Sequence, residues 1–291
     1  MIDRSLADPD QQGTIRVVSA AATDVGHVRA TNEDSLLHET PIFLVADGMG
    51  GHNAGEVASA IAVEEFERLT VQENVTIEQL GDALSSASDR IHALGDGQVG
   101  AGTTVSLVAT MVLDGVGYWV VLNLGDSRVY RLSGDVFEQV SVDHSVVQEL
   151  IDRGELSEAE ARVHPYRHMV TKALGAGPDT EPDYWLIPAE VGDRMLICSD
   201  GLTGEVPDEV IERQLGRPDD VRSICRGLVE LALDAGGSDN VTVVVVEAVE
   251  VVGLEPDGDQ HTTSLTQLEE DGVEIDEDTL PREVGGSESP R

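Results

Sequence analysis

Aromatic residues are scarce in this chain of 291 residues: two Trp, four Tyr and three Phe. A core must therefore be built mainly from Val, Leu, Ile and Ala. Cysteine is nearly absent. Cys198 and Cys225 are too few and too isolated for a disulfide framework or a zinc site. Cys198 sits in an apolar run and is expected to be a small core residue. Basic side chains are also few, 18 against 56 acidic, for a net charge of −38. That balance excludes sequence-independent nucleic-acid binding, which needs a basic footprint. It equally excludes adhesion to an anionic membrane surface. No apolar run approaches the ~18 residues needed to span a bilayer, and the first thirteen residues lack the apolar core of a signal peptide. The acidic balance fits a very soluble protein or one that gathers divalent cations, and a cytoplasmic monomer is expected.

What is present is organised around Phe43–His52, FLVADGMGGH. Its apolar run reads as a buried strand stopped by Asp47 and Gly48. The glycines at 48, 50 and 51 let backbone approach a ligand closely. Before it, residues 16–25 and 35–37 read as strands, joined to this one in an antiparallel meander because the connections are too short for helical crossovers. Helical spacing follows over 54–69 and 76–94, the second opened by a capping box of Thr76 and Gln79 and closed by Gly95. A block of β-branched runs then extends from Gly102 to Ser141, broken at hairpin signals such as Asp114-Gly115. A short helix is expected over 144–152. Residues 153–183 are irregular and rich in Gly and Pro, the mark of a functional loop. A buried strand at 194–199 ends in Asp200-Gly201. Helices are predicted over 207–215, opened by Pro207, and 218–234, and a last strand over 241–249.

No βα alternation appears, so sheet-on-sheet packing with helix pairs on the outer faces fits best. Residues 1–13 form a flexible N-terminus, 14–250 one domain, and 251–291 an acidic, disordered tail.

Asp47, Asp126, Asp200 and Asp239 share a setting: each adjoins a strand and has Gly or Ser beside it. Taken singly, each acid could be a turn or a helix cap. Together, such acids at one rim would repel and raise each other's pKa unless a cation lay between them. An all-oxygen site suits magnesium or manganese. The chemistry it suggests is two-metal hydrolysis of a phosphate ester, with water bridging the ions. Arg29, just ahead of Asn32-Glu33-Asp34, is the candidate for the phosphate oxygens, because its planar fork can bind two at once.

These segments, taken in order, resemble the metal-dependent serine/threonine protein phosphatases of type 2C, in their bacterial form. The resemblance rests on Asp24-Val25-Gly26, Arg29, Asn32-Glu33-Asp34 and Ala46-Asp47-Gly48-Met49-Gly50-Gly51-His52. It continues through Gly102-Thr103-Thr104, Gly125-Asp126-Ser127-Arg128, Asp143-His144-Ser145 and His164-Pro165, and ends with Ser199-Asp200-Gly201-Leu202 and Ser238-Asp239-Asn240-Val241-Thr242.

It implies an α+β fold, a four-layer α/β/β/α sandwich of two antiparallel sheets flanked by helix pairs, with 153–183 as a flap beside the site. It further implies that Asp47 bridges two Mn2+ or Mg2+ ions. The Gly48 carbonyl would complete the first and Asp200 and Asp239 the second, with Glu33 and Asp34 positioning metal-bound water. In bacterial relatives a third, weaker ion is held by the aspartates matching Asp126 and Asp200. The implied partners are a Ser/Thr kinase and its phosphorylated substrates. Two departures stand out. Met49 occupies the place of a proposed catalytic histidine, leaving His52 or a metal-bound water as the general acid. Arg167-His168 follows His-Pro where relatives often have Arg-Asn. His144 is expected to be structural, bonding near the start of its helix. The alternatives are a phosphatase dedicated to one regulatory partner, and an inactive binding module on the same fold.

Overall fold

A computed structural model describes residues 14–51, 54–72, 74–94, 100–176 and 181–252. The expected flexible N-terminus, most of the acidic tail, Gly95 and His52 lie outside the described residues. In chain order the elements are β1 (Thr14–Asp24), β2 (Asp34–Glu39), β3 (Ile42–Met49), α1 (Ala54–Glu67) and α2 (Ile77–Ala93). Next come β4 (Gly102–Thr103), β5 (Val105–Leu113), β6 (Val116–Leu124), β7 (Arg128–Ser133) and β8 (Val136–Gln139). Then follow α3 (Val146–Asp152), α4 (Glu158–Ala161), β9 (Asp183–Pro188), β10 (Arg194–Cys198), α5 (Asp200–Thr203), α6 (Asp208–Leu215), α7 (Val221–Ala235) and β11 (Val241–Val252).

Two antiparallel sheets result. One runs β1-β11-β10-β7-β8; the other runs β2-β3-β5-β6-β9, with β4 against β3. Side-chain alternation explains how they stack. On β3, Ile42, Leu44 and Ala46 face α1 and α2, where they join Phe66, Leu80 and Leu84. Phe43 and Val45, one residue out of phase, point the other way and meet Trp119, Met195, Val244 and Val246 between the sheets. On β11, Val243 and Val245 turn outward to Ile224, Leu228 and Ala232 of α7. Because both faces of these strands are covered, they read as continuous apolar runs rather than as alternation. The order of layers is helix pair, sheet, sheet, helix pair, the expected α/β/β/α sandwich. Cys198 on β10 and Cys225 on α7 are both buried in the core between this sheet and its helices.

Five expectations need correction. Strand β1 does not form a meander with β2; it pairs along its length with β11, from Thr14↔Val252 to Asp24↔Val241. The connection after β1 crosses between sheets, and of these three strands β2 and β3 alone form a hairpin. That pairing also carries β11 to Val252, past its predicted end. Strand β3 does not stop at Asp47 but runs to Met49, because Gly48 and Met49 pair with β4. Pro207 is the cap before α6 rather than its first residue. The flap carries a helical turn, α4, opened by a capping box of Ser157 and Glu160. The Thr76–Gln79 capping box forms as expected.

Among the described residues no helix is long and apolar enough to cross a membrane.

Candidate metal and phosphate site

Antiparallel pairing places strand starts beside strand ends, which is why acids far apart in sequence meet. Asp34 opens β2 directly opposite Asp47 on β3. Asp200 follows β10, Asp239 precedes β11, and Asp126 lies in the turn between β6 and β7. All are at one end of the sandwich. Asp47, Asp126, Asp200 and Asp239 line a cleft of about 650 Å³ together with Arg29, Glu33, Gly48, Met49, Arg167, His168 and Glu205.

Hydrogen bonds across the two sheets fix these positions. Ser199 Oγ donates to Asp34 Oδ2 at 2.9 Å and accepts from the Thr242 amide, so one hydroxyl ties both sheets together. Asn240 Oδ1 accepts from the Glu33 amide, and its Nδ2 donates to the carbonyls of Val25 and Thr31. That single side chain anchors the loop bearing Arg29 and Glu33 to the start of β11. Thr104 Oγ1 accepts from the Asp47 amide and bonds Ser127 beside Asp126. Gly201 is required by close approach: a Cβ there would stand 1.8 Å from the Asn240 carbonyl oxygen.

The electrostatics are those of a buried acid cluster that Arg29 offsets only in part. Burial, then repulsion from Asp34, Asp200, Asp126 and Asp239, drives the Asp47 carboxyl far above its ordinary pKa. Burial is likewise the main cause at Asp126, with Asp200 and Asp143 adding to it. Burial pushes Asp34 up to about 7, against hydrogen bonds from Thr242 and Ser199. Glu33 is raised by burial and partly relieved by Arg29. Among the described residues Asp34 Oδ1 is buried with no hydrogen-bond partner, a costly arrangement for a carboxylate. Both observations fit a divalent cation held by oxygen ligands. Arg29 Nη2 donates to Asp239 Oδ2 at 2.6 Å, so the candidate phosphate ligand rests on a candidate metal ligand. Among the described residues no three His, Cys, Asp or Glu side chains enclose one ion by themselves. Ligation here would draw on carbonyls and water as well, as hard cations commonly do.

Every described candidate from the sequence reaches this end of the molecule: Arg29, Glu33, Asp34, Asp47, Gly48, Asp126, Asp200 and Asp239. His144 is buried and structural, but it does not bond the helix start. Its Nδ1 accepts from the Gly125 amide and its Nε2 meets Asp183 at 3.2 Å. Sequence reasoning assigned no part to Ser199, Thr104, Asn240, Glu205 or His168. The first three lie in quoted motifs, so their types were visible and their partners were not. Glu205 Oε1 accepts from the Ser238 amide and stiffens the loop ahead of Asp239. His168 Nδ1 lies 3.5 Å from Asp200 Oδ2.

Comparison with known proteins bears on the family and the fold. A family model described as protein phosphatase 2C matches residues 27–240. The serine/threonine protein phosphatase PstP of Mycobacterium tuberculosis is 39% identical over 236 residues, covering 79% of this chain. The chain spans about half the length of that relative, 45%. The serine/threonine phosphatase stp of Listeria innocua is 36% identical over 241 residues, 77% of this chain and 93% of that protein. A crystal structure of a PstP catalytic domain in complex with 2 manganese ions superposes with a TM-score of 0.74 at 36% identity. It covers 81% of this chain and 100% of that one. With its order of strands, its rim of aspartates and these matches, the chain belongs to the protein phosphatase 2C family.

Proposed function

We propose that this protein hydrolyses phosphoserine and phosphothreonine in proteins at a binuclear Mn2+ or Mg2+ centre, opposing a Ser/Thr kinase. The observation that carries the reading is the convergence of buried, mutually repelling aspartates, one with an orphaned oxygen, beside Arg29 in an open cleft. Asp47, the Gly48 carbonyl, Asp200 and Asp239 would hold the two ions, with Glu33 and Asp34 accepting hydrogen bonds from their waters. Bound there, the cations supply Lewis-acid neutralisation of the phosphate and an activated water for in-line attack.

The chain's own residues do the rest. Arg29 is half exposed at the cleft mouth, and its guanidinium would orient the phosphoryl oxygens and offset charge gathered in the transition state. The cleft is open enough for a phosphorylated side chain on a protein surface. Met49 lines it and has no proton to give the leaving hydroxyl. The general acid therefore lies elsewhere, at His52 or at water.

Hydrolysis of a phosphothreonine peptide with Mn2+, Mg2+ or chelator, comparing wild type with Asp200→Asn, tests this. Metal-dependent turnover in wild type that collapses in the variant supports it. A wild type that binds Mn2+ yet leaves peptide and small phosphate esters intact would sink it in favour of an inactive binding module.

A further inference from the structure

Glu205 stands where the metal and phosphate cleft opens into a second groove, of about 490 Å³, between the flap and the corner joining α5 to α6, and it lines both. The backbone sets it beside the candidate ion ligands. The Gly204 amide donates to the Asp200 carbonyl at 2.7 Å, and Glu205 Oε1 accepts from the Ser238 amide, one residue before Asp239, at 3.1 Å. On its other side the carboxylate packs against Gly236, where a Cβ would stand 2.9 Å from Oε2. A glutamate on a protein surface usually keeps its rotamer freedom. This one is half-buried and already oriented.

What the carboxylate lacks is a cation. Among the described residues Oε2 takes no hydrogen bond and Glu205 makes no ion pair. Two guanidinium groups of the cleft and groove are engaged elsewhere: Arg29 with Asp239, and Arg128 with both oxygens of Asp143. Arg167 lines the same cleft without pairing with Glu205. Further along the groove Asp208 accepts from the Tyr130 hydroxyl through Oδ1 alone, and Glu158 adds another acid on the flap. An oriented carboxylate with one oxygen free is a receptor for a guanidinium or ammonium group, not for a neutral side chain.

Building on the phosphatase reading above, we infer that Glu205 is a specificity-determining residue that receives an Arg or Lys side chain of the substrate close to the phosphorylated residue, so that basic segments are preferred. The reach follows from chain geometry. An extended polypeptide advances about 3.3–3.6 Å per residue, so a long basic side chain within about three residues of the phosphate can meet a carboxylate at the cleft edge. The net charge of −38 draws basic segments to the whole molecule. Glu205 turns that general attraction into selection at one place.

The test is hydrolysis by the full chain with Mn2+, comparing wild type, Glu205→Gln and Glu205→Ala. The substrates are phosphothreonine peptides of one sequence with Arg or Gln placed up to about three residues away on either side. Glu205→Gln keeps an oxygen for the Ser238 amide and removes only the charge. The readout is the ratio of kcat/KM for the Arg peptide to that for the Gln peptide, in which any general effect on the loop before Asp239 cancels. In wild type at least one position should favour Arg by about tenfold at low ionic strength, and the preference should shrink as salt is added. In both variants the ratio should fall to about twofold or less, the remainder being attraction by the whole chain. A ratio near one at every position in wild type, or a preference that survives in Glu205→Gln, overturns the inference. So does a loss of Mn2+ affinity beyond about tenfold in Glu205→Gln, read by calorimetry, which would make the carboxylate an ion ligand. In each of those cases turnover of the peptides by wild type leaves the phosphatase reading standing. A wild type that dephosphorylates no peptide would bring down both.

Discussion

Arg29 and Asp239 are each assigned one ligand and are each engaged with the other. The guanidinium meets the carboxylate at 2.6 Å, with the two side chains 52% and 31% exposed. An ion pair that wet contributes no more than about 1 kcal/mol, so it opens readily when a better partner arrives for either group. The two proposed roles are therefore coupled: a cation that takes Asp239 frees Arg29 for phosphate. Arg29→Ala should act in opposite directions on the two ligands. Peptide kcat/KM should fall by about 100-fold, as for loss of a charge-stabilising donor. Mn2+ affinity should rise, because a competing cation has been removed from a metal ligand. Steady-state kinetics and calorimetry on the same preparation decide it; a drop in Mn2+ affinity would show that Arg29 supports Asp239 rather than competing for it. Residues of this kind were the most legible in the sequence. An Asp at a strand end beside a Gly carries its setting with it, and a lone Arg in a basic-poor chain is conspicuous. His168 was not legible as part of the site, because nothing local says that a flap residue returns to Asp200.

At the level of elements, local signals were read well and long-range pairings were not. The Thr76–Gln79 capping box, the helical spacing over 76–94 and the buried β10 run are properties of short windows, and each formed. The pairing of β1 is not legible locally, because its partner, β11, lies more than 200 positions away. The most demanding contact joins α5 to the start of β11. Gly201 packs against the Asn240 carbonyl so closely that a methyl group would overlap it at 1.8 Å. Gly201→Ala must push Asp200 and Asp239 apart, since they flank the two contacting residues. Overpacking of this sort costs about 1–3 kcal/mol. Urea unfolding in chelator should show that loss, and Mn2+ binding should weaken with it. Unchanged stability together with unchanged Mn2+ affinity would mean that the α5–β11 contact does not set the separation of the two aspartates.

For the whole molecule, the acid cluster makes stability depend on pH in a direction that cations should reverse. Asp34, Asp47 and Asp126 all have carboxyls raised above their ordinary range, chiefly by burial. Without cations the folded chain holds protons that the unfolded chain has released. That difference opens near the unfolded carboxyl value of about 4 and, for Asp34, closes only above its folded value of about 7. Below the window the folded state keeps its full advantage; as pH rises through it, the advantage is lost. Self-repulsion in a chain of net charge −38 acts in the same sense. The opposing carboxyls, Asp220 and Glu160, are lowered by hydrogen bonds at helix caps. They are fully exposed and act below the ordinary carboxyl range, so they do not offset the effect. The thermal midpoint in chelator should therefore fall steadily between about pH 5 and about pH 7.5. With saturating Mn2+ the sign should invert, because the ion binds the deprotonated carboxylates and competes with protons for them. Melting curves at fixed ionic strength, with and without Mn2+, measure both slopes. A midpoint that rises with pH in chelator would mean that the aspartates are already relieved by groups of the chain itself, and the case for cations as their missing partners would fall.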